Sequence, residues 1–123
     1  MITVNKDKAL AQAKATKLAE VIATYNTAIS ALVGTTDQYE LASWAKQEEE
    51  ARAYVSDNAV ITPLLSGMIV ARGLGETVLD LAHKIIAKAD AYQAAYALIL
   101  GTYQAKQKAI SVATTVAEVQ AIQ

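Results

Sequence analysis

The stretch Glu76 to Ile110 limits this chain more than any other. Val78, Ala82, Ile85, Ala89, Tyr92, Tyr96, Ile99 and Tyr103 succeed one another at alternating steps of four and three, and Ile110 rejoins the register after Lys106 interrupts it. Steps of four and three are the heptad pattern of an α-helix with one apolar stripe. A helix of about ten turns extends roughly 50 Å at 1.5 Å per residue, more than a compact domain of this size is wide. Such a helix needs other long helices, or another subunit, along its length. The pattern therefore predicts an all-α protein, an elongated helical bundle with one long helix over about 76–110.

A second long helix is predicted over about 6–33. Its stripe, Ala11, Ala15, Leu18, Ile22, Tyr25, Ile29 and Leu32, is small at the start and large toward the end, so the second half should be the buried one. Asn5 offers an N-cap, with Ile2 and Val4 as apolar residues ahead of it. Lys6, Lys8, Lys14 and Lys17 give the first half a basic exposed side, read as a solvated face rather than a binding patch. Gly34 stands where a helix-ending glycine would, and Thr35, Thr36 and Asp37 offer caps for a shorter helix over about 37–57. In that helix Lys46 with Glu50, and Glu48 with Arg52, are four apart and placed to pair.

Thr62-Pro63 opens a third element over about 63–72, with Thr62 at the N-cap and Pro63 at the first helical position. Gly73-Leu74-Gly75 ends it. Gly101 lies inside the long helix at a cost near 1 kcal/mol relative to alanine, which suggests a kink or a close helix crossing. Thr115 and Glu118 have capping-box spacing ahead of a terminal helix over about 116–122. Residues 1–123 are read as a single helical domain, with the first 34 forming one long helix and 37–123 the remaining module.

Composition supplies the exclusions. There are 26 alanines, one proline and no phenylalanine, which favours helix and leaves little strand signal. The net charge of −1 lacks the basic field that a phosphate backbone requires, so no nucleic-acid partner is expected. The absence of cysteine removes disulfides, thiolate zinc sites and cysteine nucleophiles. The first residues carry no signal-peptide core and no segment has 18 uninterrupted apolar residues, so a soluble chain with no membrane partner is expected.

Several residues invite a chemical reading. Glu48, Glu49 and Glu50 suggest a metal or acid/base group, but successive helical residues point about 100° apart and cannot converge on one ion, which favours a solvated face. His83 is the single histidine and is read as a surface or boundary residue. Trp44 is read as a core anchor. The short helix, glycine turn and long helix could imitate a helix-turn-helix. The supposed reading helix opens Glu76-Thr77-Val78-Leu79-Asp80, whose carboxylates would repel phosphate. No catalytic, cofactor-binding or metal-ligating residues are expected, and no cofactor. If function lies in an interface, its residues are Leu18, Ile22, Tyr25 and Ile29 on the first helix and Tyr92, Tyr96, Ile99 and Tyr103 on the long one, with a homo-oligomer as the expected state.

From Trp44 onward the order of signals resembles a small helical domain of unknown function that recurs in tailed-phage and prophage proteins of the tail and tail fibre. The matching residues are Trp44 with Gln47, Glu50, Ala51 and Arg52; Thr62-Pro63-Leu64; Ala71-Arg72-Gly73; Leu81-Ala82 and Ile85-Ile86; Gly101; and Thr114-Thr115-Val116. They cover about the last 80 residues and leave the first helix outside the match. The resemblance implies no activity. It implies a bacteriophage virion protein of the tail, baseplate or fibre-attachment region, made in the host cytoplasm, with other tail or fibre proteins as partners. A fibre-assembly chaperone and a small DNA-binding regulator are the alternatives.

Overall fold

The computed structural model describes residues 2–123, with side chains from residue 5 onward. The side chains of Ile2 and Val4, expected to be apolar contacts, therefore lie outside the described residues. Among the described residues the chain is all-helical, with five helices in the order α1 (Ile2–Val33), α2 (Gln38–Ser56), α3 (Pro63–Arg72), α4 (Val78–Val112) and α5 (Val116–Gln120). Both long helices of the expectation are present. Contacts gather in two compact units: one takes residues up to Gly34 together with Ala95–Gln123, and the other is Thr35–Ala94. α4 contributes its residues up to Ala94 to the latter and the rest to the former.

In the unit formed by 35–94, α2, α3 and the first turns of α4 enclose Ala51, Leu65, Leu81 and Ala82, flanked by Met68, Ile69, Val78, Ile85 and Ile86. The alanines at the centre let the helix backbones approach, and Leu65 fills the space between them. Trp44 is half-buried as an anchor of this unit, edge-on to Tyr92 with ring centroids 5.4 Å apart. Asp37 caps α2, accepting the backbone N–H of Tyr39 at 2.7 Å and of Glu40 at 3.4 Å.

The glutamate run does not form one solvated face. Glu50 is only 4% exposed, and its carboxylate accepts the backbone N–H of Leu64 (3.0 Å) and Leu65 (3.1 Å) at the start of α3. A helix opens with unpaired N–H donors, and its positive end favours a carboxylate. Thr62 does occupy the N-cap position of α3, but its hydroxyl pairs with the Ser66 hydroxyl at 3.0 Å and caps nothing. A residue from α2 thus replaces the expected local cap. Lys46 in consequence pairs with Glu49 at 3.5 Å and not with Glu50. Glu48 and Arg52 pair at 2.9 Å as the spacing suggests, and Arg52 also reaches Asp90 at 2.6 Å.

α4 begins two residues later than the sequence suggests because Thr77 and Asp80 cap each other. The Thr77 hydroxyl accepts the Asp80 N–H at 3.1 Å, and the Asp80 carboxylate accepts the Thr77 N–H at 3.0 Å. Glu76 stays outside the helix and accepts from Lys84 (2.9 Å) and Arg72. Gly73 and Gly75, with φ of 64° and 71°, make the left-handed turns that set α3 and α4 apart.

Lys84, with Arg72 assisting against partial desolvation, holds the Glu76 carboxyl below its ordinary pKa, and the N–H donated by Thr77 does the same for Asp80. The folded chain therefore binds fewer protons at these sites than the unfolded chain, so their stabilisation is complete above the ordinary carboxyl range, near pH 4, and disappears as acid protonates the folded forms. Melting curves should show Glu76→Gln less stable than the parent at pH 7, with the gap closing below pH 3. A gap that stays constant over that range would contradict this assignment.

In the other unit, Val21, Ile110, Ala113 and Val119 are the buried apolar residues. α1 packs along α5 and along the latter part of α4. Asn5 lies inside α1 and does not cap it, since the helix already starts at Ile2. The expected stripe of α1 is covered at Leu18, Tyr25, Ile29 and Leu32 and departs from expectation at its centre, where Val21 is 6% and Ile22 37% exposed; Ala11 and Ala15 face solvent. A straight helix drifts about 20° per heptad from a strict seven-residue stripe, and α5 covers the side carrying Lys17.

Lys14 and Lys17 are half-buried and do not form the solvated basic side expected of them. Lys14 Nζ donates to the Ser111 carbonyl at 3.1 Å and Lys17 Nζ to the Ile122 carbonyl at 3.0 Å. Both acceptors lie where α4 and α5 end, among carbonyls that no further helical turn satisfies. Thr115 caps α5 by accepting the Glu118 N–H at 3.1 Å, while the Glu118 carboxylate reaches past it to the Thr114 N–H at 2.8 Å. α5 ends at Gln120, short of the expected 122. Gly101 neither breaks α4 nor sits in a close crossing, because a Cβ built there meets nothing within 4 Å.

Candidate functional site

The most site-like feature of the unit that holds α1 is an open groove of about 170 Å³ between α1 and the latter part of α4. α1 supplies Val21, Thr24, Tyr25 and Ala28, and α4 supplies Leu98, Ile99, Thr102, Tyr103 and Lys106. Its lining is apolar despite two threonines. Each hydroxyl is turned back onto its own helix, Thr24 to the Glu20 carbonyl at 3.1 Å and Thr102 to the Leu98 carbonyl at 2.7 Å. Back-bonding of this kind leaves the methyl groups to face the groove.

The floor is aromatic. Tyr25 and Tyr103 lie with ring centroids 4.6 Å apart and planes tilted by 31°. The Tyr25 and Tyr96 hydroxyls are 3.1 Å apart, and the Tyr103 hydroxyl accepts from Gln107 at 3.0 Å. These bonds tie the Tyr25 and Tyr96 hydroxyls to each other and the Tyr103 hydroxyl to a neighbour on its own helix. Leu98, 73% exposed, stands on the lip. Lys106, at the position where the heptad stripe is interrupted, is half-buried and is the one charged residue of the lining. Among the described residues no ion pair is formed by Lys106.

Of the eight residues expected at an interface, Tyr25, Tyr96, Ile99 and Tyr103 come together here, three of them in the lining. Leu18 and Ile29 are half-buried elsewhere along α1, and Ile22 points outward. Tyr92 belongs to the other unit, where it meets Trp44. Leu98 was not signalled by the heptad pattern because it lies one position before the stripe residue Ile99. Lys106 was visible only as an interruption. Nothing in the spacing of α1 pointed to Thr24 or Ala28.

A second depression, in the unit formed by 35–94, is polar and lined by Tyr54, Val55, Ser56, Asp57, Asn58 and Leu79 at the end of α2. The Asp57 carboxylate there accepts the Ala59 N–H at 3.0 Å, as in an ordinary turn. His83 is exposed, and among the described residues no three His, Cys, Asp or Glu side chains are grouped to hold a metal ion. No helix, among the described residues, is long and apolar enough to cross a membrane. Comparisons with models of protein families, with curated proteins and with solved structures found no significant match to this chain.

Proposed function

We propose that the chain is a non-enzymatic structural protein of a bacteriophage virion, in the tail, baseplate or fibre-attachment region, acting through helix packing and self-association. The observation that supports self-association most directly is the groove between α1 and α4: preformed, apolar, floored by tyrosine rings and edged by the exposed Leu98. Rigid aromatic surface of this kind costs little ordering entropy on binding and is typical of interface centres. The phage setting rests on the sequence resemblance, which begins at Trp44. A DNA-reading role has weaker support, because Arg72 and Lys84, the cations beside the glycine turn, are both engaged by Glu76.

The experiment is the mass of the purified protein by light scattering across concentration, together with mass spectrometry of purified particles from a phage that encodes it. A mass above one chain, reduced by Leu98→Glu, with the protein abundant in particles, is the expected result. The openness of the same groove supports a second reading, a fibre-assembly chaperone that holds an apolar segment of another protein. A chain absent from mature particles that copurifies with one tail protein would favour that reading and overturn the first.

A further inference from the structure

The groove has two chemical requirements that its own unit leaves unmet: an apolar body to fill about 170 Å³ and an anion for Lys106. A cavity of about 150 Å³ accommodates one benzene ring, so a single aromatic side chain suits the available space. At the start of α2 the chain carries a matching element. Tyr39 is 76% exposed, the most exposed aromatic residue, and the neighbouring Glu40 carboxylate is exposed and forms no ion pair among the described residues.

The other strongly exposed apolar side chains lack such a companion. Leu74 lies near Glu76, which Arg72 and Lys84 already engage, and Val70 lies near Arg72. Leu79 adjoins Asp80, whose carboxylate is committed to the Thr77 N–H, and Asp57, closest to Ile61 in sequence, is committed to Ala59. Among the described residues Tyr39 with Glu40 thus pairs an exposed ring with an uncommitted carboxylate, and its charge complements Lys106.

We infer that the occupant of the groove is Tyr39 of a second copy of this chain, with Glu40 of that copy against Lys106 at the rim. This rests on the self-association proposed above and names its contact. Knob and hole are different surfaces of one chain, so the contact is satisfied either by two copies exchanging knobs about a two-fold axis or by repetition from copy to copy into a ring or filament. The ring supplies the affinity and the rim charges supply orientation and rate.

The test is light scattering and sedimentation of the full chain and three variants, each first shown by circular dichroism to melt as the parent does. Tyr39→Ser should weaken association by at least about tenfold, as expected for loss of a central aromatic anchor. Lys106→Glu should weaken it by a smaller factor, and adding Glu40→Lys to Lys106→Glu should recover most of the loss. The parent should associate into a dimer or a larger species as concentration rises. Association by Tyr39→Ser equal to that of the parent overturns this contact and leaves self-association standing. A parent that remains one chain at every concentration overturns both.

Discussion

Truncating Leu65 to alanine is expected to cost about 3–4 kcal/mol, the middle of the range for emptying a buried leucine site. Leu65 is fully buried, and its closest companions include Ala51 and Ala82, which are also fully covered. Alanine has no side-chain freedom with which to move into a void, so the site cannot collapse without shifting α2 or α4 as a whole. Urea unfolding followed by fluorescence of Trp44, the single tryptophan and a member of the same unit, should show the loss directly. Leu65→Met, which keeps the volume, should cost less than about 1.5 kcal/mol. A loss below about 1 kcal/mol for Leu65→Ala would mean that the leucine does not hold these helices together.

Replacing Glu50 with alanine should cost about 3 kcal/mol by a different route, through buried donors left without an acceptor. Pro63 brings no N–H to the first turn of α3, and the Ser66 N–H is already satisfied by the Thr62 carbonyl at 2.8 Å. The N–H groups of Leu64 and Leu65 are the remaining ones, and Glu50 takes both. Glu50→Gln keeps an acceptor oxygen and loses the charge at the positive helix end, so its cost should be nearer 1 kcal/mol. Glu50→Leu, which keeps side-chain bulk but offers no acceptor, should cost as much as Glu50→Ala in the same urea experiment, and this distinguishes capping from simple packing. A Glu50→Leu protein as stable as the parent would place the effect in side-chain volume and remove the capping role.

Much of the fold was legible because its local chemistry is strong. Gly34 ends α1 with φ of 67°, Pro63 opens α3, and Thr115 opens α5, each where the residue type alone puts it. The α4 stripe from Val78 to Ile110 is covered along its length, Lys106 included. At its centre the α1 stripe buries Val21 in place of Ile22, because alanines and β-branched residues on both sides of that helix leave the apolar face broad. Of the candidate interface, the tyrosines could be found from spacing. Leu98 could not, since it becomes relevant only when α1 lies beside α4.

The sequence by itself determined that the chain is helical, roughly where its five helices start and stop, and which side of α4 is covered, since these follow from backbone propensity, caps and a repeat of apolar residues. The tertiary structure decided how the polar residues are used. Lys14, Lys17 and Glu50 look in sequence like surface charges, yet they satisfy the ends of helices 97, 105 and about 14 residues away in the chain. Helix ends leave backbone groups that must be paired, and which side chain is near enough to pair them is a property of packing between helices that no local pattern encodes.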